Sequence, residues 1–169
     1  ILILFLNTQN RNIYTDYLTG VNNRKRLDRF LQEKISYANP HKTFSAILLD
    51  IDNFKNFNDT YGHDLGDVVL MEAVEVLKTS VRTNDLIARY GGDEFCIVFD
   101  ISNESDLQKA ADRIKNTVKE YNQKSQHDFK LSFSMGCAVY DEKEKLKIDE
   151  FFKLLDQRMY QDKKNKQEK

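Results

Sequence analysis

The chain has 169 residues, 40% of them hydrophobic and 31% charged, which is enough apolar material for one domain with its own core and too much for a disordered segment. Lysine and arginine number 26 against 27 aspartate and glutamate, a net charge of -1, and that balance excludes a general nucleic-acid binder, which would be strongly basic. The two cysteines, Cys96 and Cys137, each fall in a β-prone run and read as small core residues in a reducing compartment, not as a disulfide or metal pair.

The sequence opens without Met, on Ile1-Leu2-Ile3-Leu4-Phe5-Leu6. Six apolar residues cannot cross a bilayer, which needs about 20. Residues 1–12 therefore read as the end of an upstream linker or of a truncated membrane helix, in a longer parent protein. Residues 13–163 read as one domain, and 164–169 as a solvated tail.

Asp16 to Arg24 is rich in turn residues and leads into an amphipathic helix over 24–38. Leu27, Phe30, Leu31, Ile35 and Ala38 recur there at helical spacing, and Pro40 marks the end. Ser45 to Asp52 is a continuous apolar run, as expected of a central strand buried on both faces, and it ends in Asp50 and Asp52. If the strand reaches that far, period-2 spacing puts both carboxylates on one face; alternatively Asp52 caps the following helix. Phe54 to His63 reads as a short helix closed by Gly62. Asp64-Leu65-Gly66-Asp67 opens a second helix, with Leu70, Ala73, Val74, Leu77 and Val81 on its core face, and Arg82 to Asp85 is a connecting turn.

Between Leu86 and Phe99 two β-prone runs flank Gly91-Gly92, a hairpin turn expected to hold positive φ at both glycines. The residues after the turn are Asp93 and Glu94, where strands are depleted of acids. Leu107, Ala110, Ala111, Ile114, Val118 and Tyr121 then form the clearest helical stripe. In the next strand Leu131, Phe133, Met135, Cys137 and Val139 alternate with Ser132, Ser134, Gly136 and Ala138, leaving one face small enough for close approach of a neighbour. Ile148, Phe151, Phe152, Leu155 and Met159 mark a last helix.

If the strand end at Asp50 neighbours the hairpin tip at Asp93 and Glu94, the three form an oxygen-only site. Two carboxylates about 5 Å apart at an effective dielectric of about 20 repel by about 3 kcal/mol. A divalent ion such as Mg²⁺ or Mn²⁺ removes that penalty, with nucleotide phosphates completing its shell.

Arg89-Tyr90-Gly91-Gly92-Asp93-Glu94-Phe95 resembles the signature of the GGDEF family, the diguanylate cyclases. The resemblance extends through Asp16-x-Leu18-Thr19-Gly20-x-x-Asn23-Arg24 and the segment Asp50-Ile51-Asp52-x-Phe54-Lys55-x-x-Asn58-Asp59-x-Tyr61-Gly62-His63-x-x-Gly66-Asp67. It continues through Ser134-Met135-Gly136 and Met159-Tyr160-x-x-Lys163, so ordered motifs run from Asp16 to Lys163. The resemblance implies an α/β fold, a central, mainly antiparallel sheet wrapped by helices and akin to the nucleotide-cyclase and polymerase palm.

It further implies that two GTP molecules are joined into cyclic di-GMP with release of two pyrophosphates, in an antiparallel homodimer. Carried over by position, Asp50 and Asp93 hold Mg²⁺ or Mn²⁺ with the main-chain carbonyl of Ile51, Asp93 is the candidate general base, and Glu94 completes the acidic tip. Asn58 and Asp67 read the guanine edge, and His63 lies near the nucleotide. Lys55, Lys163 and the amides of Asn53 and Phe54 neutralise the triphosphate. Arg82 and Asp85 match the family's Arg-x-x-Asp inhibitory site for cyclic di-GMP, with Arg113 in support. The tail departs from the family: Lys164-Asn165-Lys166-Gln167 stands where a Gly-Arg-Asn-like segment is common. The arginine that touches phosphate in that segment is therefore absent, or Lys166 takes its place. The resemblance places the domain in the cytoplasm, downstream of a sensory or membrane domain, with GTP and cyclic di-GMP as ligands. The competing reading is a GGDEF module without catalysis that binds GTP or cyclic di-GMP as a sensor.

Overall fold

The computed structural model describes residues 13–168; the apolar run Ile1–Leu6 lies outside the described residues. Five strands, Asn22–Asn23 (β1), Ser45–Ile51 (β2), Leu86–Arg89 (β3), Glu94–Phe99 (β4) and Phe133–Val139 (β5), form one sheet in the order β1-β3-β4-β2-β5. The helices that follow or link them are Arg24–Tyr37 (α1), Phe54–Tyr61 (α2), His63–Ser80 (α3), Glu104–Lys124 (α4) and Ile148–Gln167 (α5). Only β1 and β3 pair in parallel, and every other neighbour is antiparallel, as expected from the family resemblance.

The uninterrupted apolar run of β2 is explained by its central place. Ile47, Leu49 and Ile51 face Leu70, Ala73 and Leu77 of α3 and Ile114 of α4. Ala46 and Leu48 point the other way, into a second cluster with Leu27 and Leu31 of α1 and Phe151, Leu155 and Met159 of α5. Burying each such side chain contributes about 1.5–3 kcal/mol, so the two clusters fix which strand residues face which helix layer. The small face of β5 serves α5: a Cβ on Gly136 would lie 1.9 Å from the Leu155 carbonyl oxygen and 2.7 Å from the Met159 nitrogen. Helix backbone rests directly on strand there, which is what the glycine permits.

From β2 to β5 the chain follows a split β-α-β-β-α-β path whose first crossover holds two helices, α2 and α3. Because β2 and β4 are adjacent and antiparallel, the end of one meets the start of the other, and Asp50 pairs with Glu94 across the ladder. On its other side Asp50 pairs with Ser134.

Three expectations change. Neither Gly91 nor Gly92 has positive φ; among the glycines only Gly20 and Gly62 do. The hairpin connection spans Tyr90 to Asp93, with the Tyr90 and Gly91 amides both donating to the Glu94 carbonyl at 2.8 and 3.3 Å, and this longer loop does not need the left-handed two-residue turn. The last helix runs on to Gln167, so residues 164–167 are helical while remaining exposed, and Lys166 on that turn donates to Asp52 and to the Phe133 carbonyl of β5. Val81 lies one residue beyond α3, as its C-cap, and packs against the core from there.

Helix α2 is a distinct unit of eight residues with no fully buried side chain. It is bounded by Asn53 at φ 61 and Gly62 at φ 88, both in the left-handed half of backbone space.

Candidate active site

Antiparallel pairing of β2 with β4 brings Asp50, Asp93 and Glu94 to one rim of the sheet. The Ile51 amide donates to the Asp93 carbonyl at 3.2 Å, stitching the hairpin tip to the end of β2. All three acids are half-buried. Burial, then the Asp50 carboxylate, pushes Asp93 above the ordinary aspartate value. Burial, then Asp50, Asp93 and Asp156, pushes Glu94 up likewise. Against this excess of negative charge stands Lys163 on α5, whose Nζ donates to Asp50 Oδ1 at 2.7 Å. That hydrogen bond holds the ammonium above the usual lysine value.

Among the described residues no three His, Cys, Asp or Glu side chains gather closely enough to hold a metal ion by themselves. Two carboxylates and a main-chain carbonyl nevertheless make an all-oxygen donor set with open positions. Burial and then the Asp50 charge raise the Asp93 carboxyl, and a hard divalent cation relieves the repulsive part. The residues fit the ion, with ligand oxygens left to complete the shell.

Asp52 behaves differently from its neighbour. The strand ends at Ile51, so Asp52 does not share a face with Asp50, and the N-cap of α2 is Asn53, not Asp52. The Asp52 carboxylate turns towards β5 instead, accepting from Ser134 Oγ and Ser132 Oγ, each at 2.5 Å, and from Lys166 Nζ at 3.0 Å. Burial works against ionisation, but these three donors outweigh it and hold the carboxyl below the ordinary aspartate value. Lys166 is thereby occupied, since it also donates to the Phe133 carbonyl.

Asn53 caps α2 without a side-chain hydrogen bond, which leaves its first-turn amides outside any side-chain cap. A cavity of about 730 Å³ opens between this turn and the end of α5, walled by Phe54, Phe57, Tyr61, Leu65 and Phe129, with Asn53 and Lys163 at its edge. Asp50, Asp93 and Glu94 lie outside it. Lys55 is exposed on the first turn of α2, and His63 is exposed as the first residue of α3.

Where α2 meets α3, Asn58 lies against Gly66. A Cβ on Gly66 would sit 1.9 Å from Asn58 Oδ1, and that oxygen is buried without a hydrogen-bond partner among the described residues. An orphaned buried carboxamide oxygen is costly unless something donates to it. Asp67 follows Gly66 directly, exposed and inside α3, whose N-cap is Gly62, so Asp67 does not cap that helix.

Arg82, Asp85 and Arg113 line a separate cavity of about 760 Å³. The Asp85 carboxylate accepts from the Arg82 main-chain amide at 2.8 Å, closing the turn, and the Arg113 Nε donates to the Ser80 carbonyl at 2.5 Å.

One pairing was not anticipated from the sequence. Arg89, in the hairpin motif, pairs with Asp16, in the opening motif, at 3.2 Å. Both positions belong to family-like motifs, and opposite charge on two such positions was the available signal.

A family model described as diguanylate cyclase, GGDEF domain, matches residues 13–169. The chain is 37% identical over 126 residues to the bifunctional diguanylate cyclase/cyclic di-GMP phosphodiesterase MucR of Pseudomonas aeruginosa, covering 74% of this chain and 18% of MucR. It is 35% identical over 141 residues to the diguanylate cyclase DosC of Escherichia coli, covering 82% of this chain and 31% of DosC. The chain thus spans less than a third of the length of these two relatives. In structure it resembles the coiled coil and GGDEF domain of DgcB from Caulobacter crescentus, solved in complex with c-di-GMP. There the TM-score is 0.86 at 28% identity, covering 97% of this chain and 87% of that one.

Proposed function

Because the chain belongs to the diguanylate cyclase GGDEF-domain family, we propose that it condenses two GTP into cyclic di-GMP with release of two pyrophosphates. The observation that carries this reading is the convergence of Asp50, Asp93 and Glu94 on one rim, with Lys163 facing them. A module that merely binds nucleotide has no need to crowd three carboxylates whose repulsion the fold must bear.

Mg²⁺ or Mn²⁺ would be held by Asp50, Asp93 and the Ile51 carbonyl, and when bound it supplies positive charge at the transferring phosphoryl group. The other work falls to the protein. The amides of Asn53 and Phe54, with Lys55 and Lys163, grip the triphosphate. Asn58 and Asp67 accept from the guanine N1–H and 2-amino group, and the orphaned Asn58 oxygen supports that assignment. His63 stands beside the nucleotide. Asp93 takes the proton of the attacking 3′-hydroxyl, and Glu94 holds the tip acidic. Each 3′-hydroxyl attacks the α-phosphorus of the other GTP, so one domain needs a second copy facing it. Arg82, Asp85 and Arg113 bind the product and slow the enzyme; the cavity they share is roomy enough for a guanine.

No described helix is long and apolar enough to cross a membrane. We place the domain in the cytoplasm, where GTP is made, joined to an upstream sensory or membrane segment in the parent protein.

Purified domain incubated with GTP and Mg²⁺, its products resolved by chromatography, tests the reading. Cyclic di-GMP is the expected product. Tight nucleotide binding with no product at high enzyme concentration would establish the sensor instead.

A further inference from the structure

We propose that Asp52 is a positioning residue for the nucleotide phosphates: it holds the β2–α2 turn in the shape that presents the Asn53 and Phe54 amides and, through α5, the Lys163 ammonium. The proposal rests on the diguanylate cyclase reading and adds to it a residue that touches neither metal nor substrate.

Three observations carry it. First, both oxygens of the Asp52 carboxylate are engaged by other groups than the rim acids: Oδ1 accepts from Ser134, and Oδ2 accepts from Ser132 and Lys166. Its side chain is only 15% exposed. Both oxygens are held by donors from β5, the segment before it and α5, and Oδ2 already takes two of them.

Second, the next residue adopts a conformation that a side chain disfavours. Asn53 sits at φ 61, ψ 18, without a side-chain hydrogen bond to hold it there. What holds it is the residue before. The Asp52 amide donates to the Ser132 carbonyl at 2.9 Å while its carboxylate grips the hydroxyls of Ser132 and Ser134, so both ends of Asp52 are fixed to the segment leading into β5. With Asp52 pinned, the left-handed turn at Asn53 aims the start of α2 at the site rather than along the strand.

Third, the same carboxylate anchors the helix that carries Lys163. Lys166 reaches Asp52 and the Phe133 carbonyl, and on the preceding turn Asp162 accepts from the Met135 amide at 2.9 Å. Lys163 lies between these two anchors. Asp52 therefore sets the distance between the two groups assigned to the triphosphate.

A role through the phosphates differs from a role in stability alone, because it depends on whether the ligand has phosphates. The test compares Asp52→Ala and the isosteric Asp52→Asn with wild type by calorimetric titration. The two probes are 3′-deoxy-GTP, which lacks the attacking hydroxyl, and guanosine, which lacks phosphates. Misplacing the phosphate grip should weaken 3′-deoxy-GTP about tenfold in Asp52→Ala while leaving guanosine within about twofold. Steady-state turnover should show a KM for GTP raised about tenfold with kcat within about threefold. Lys166→Met, which removes one donor of the three, should fall between wild type and Asp52→Ala. Asp52→Asn keeps the volume and one acceptor, so it gives the comparison if the alanine variant melts below assay temperature. Equal weakening of both probes, or no change in either, overturns the proposal while an active wild type upholds the cyclase reading. A wild type that binds neither probe and forms no cyclic di-GMP overturns that reading, and the proposal with it.

Discussion

Arg89 ties two distant motifs to one another: its Nη1 lies 3.2 Å from Asp16 Oδ1, while its Nε and Nη2 donate to the Gly92 carbonyl at 3.1 and 2.7 Å. One planar guanidinium thus bridges the turn before α1 and the hairpin that carries the acids. Asp16 also receives the amide and hydroxyl of Thr19 at 2.9 and 2.6 Å. Burial raises the Asp16 carboxyl, and the Thr19 and Arg89 bonds more than reverse that, leaving it below its ordinary value.

Arg89→Ala should therefore cost about 1–3 kcal/mol of stability and reduce turnover by more than its melting temperature explains. Arg89→Lys keeps the charge but not the fork, and should recover the stability while recovering little of the turnover. Melting curves beside initial rates decide it; full activity in the lysine variant would show that the bridge does not set the hairpin.

The acidic rim and the depressed aspartates Asp16 and Asp52 respond to pH in opposite directions. Asp93 and Glu94 bind protons more tightly folded than unfolded, so metal-stripped protein should gain stability as pH falls from neutral through their raised folded values. That gain is complete near the unfolded value of about 4. Asp16 and Asp52 have depressed folded values, so their contribution is present above about 4 and is lost as pH falls through those lower values. A maximum in melting temperature at mildly acid pH follows, and Asp93→Asn should flatten the rise towards it. A monotonic loss of stability from neutral pH downward would show that the rim is not strained.

Asp50→Asn and Asp93→Asn should each abolish turnover. Their stabilities should part company, because Asp50 has a cation and Asp93 does not share it so closely. Asp93→Asn removes repulsion and should melt at the same temperature or higher, whereas Asp50→Asn also strips Lys163 of its partner and should gain less. Near-normal activity in either variant would remove it from the metal site.

Gly66→Ala separates helix stability from recognition. Alanine favours a helix interior by about 1 kcal/mol over glycine, yet its Cβ would displace the end of the Asn58 side chain. Melting should hold steady or rise while KM for GTP rises about tenfold, as expected when a polar partner of the base is removed. Asp67→Ser, which donates as well as accepts, should admit ATP into mixed products. Unchanged competition between GTP and ATP in that variant would remove Asp67 from the base edge.

Arg82→Ala should leave initial rates nearly unchanged and weaken inhibition by added cyclic di-GMP by about 10- to 100-fold, as expected when a bidentate grip on guanine is removed. The Asp85 carboxylate holds the Arg82 amide, not its guanidinium, so the turn should survive the substitution. Unaltered inhibition would leave Arg82 without a role in product binding.

What the sequence revealed and what it hid divide along sequence distance. The apolar run of β2, the small face at Gly136 and the start of α1 were legible because each is a local pattern with one structural solution. That Asp50 meets Glu94 was legible only as a condition on neighbouring tips, which strand order then supplied. The partners of Asp52 are 80 and more positions away, and no periodicity announces them. The Asp16–Arg89 pair spans 73 positions and was hidden for the same reason. Gly91-Gly92 misleads in a different way: a two-glycine pattern suggests a two-residue turn, while the Glu94 carbonyl closes a longer one.

Helix α2, with no fully buried side chain and a left-handed residue at either end, is held to the domain chiefly through the partly buried Phe54 and Phe57. Its opening should cost far less than global unfolding, so its amides should exchange with solvent well before those of α3 or β2. Residues assigned to both base and phosphate, Asn58 and Phe54, sit on it. Nucleotide would then be felt as slowed exchange confined to 54–61, and the ordering of one short helix would subtract from affinity. Substitutions that stiffen α2 without touching ligand should tighten binding and slow release.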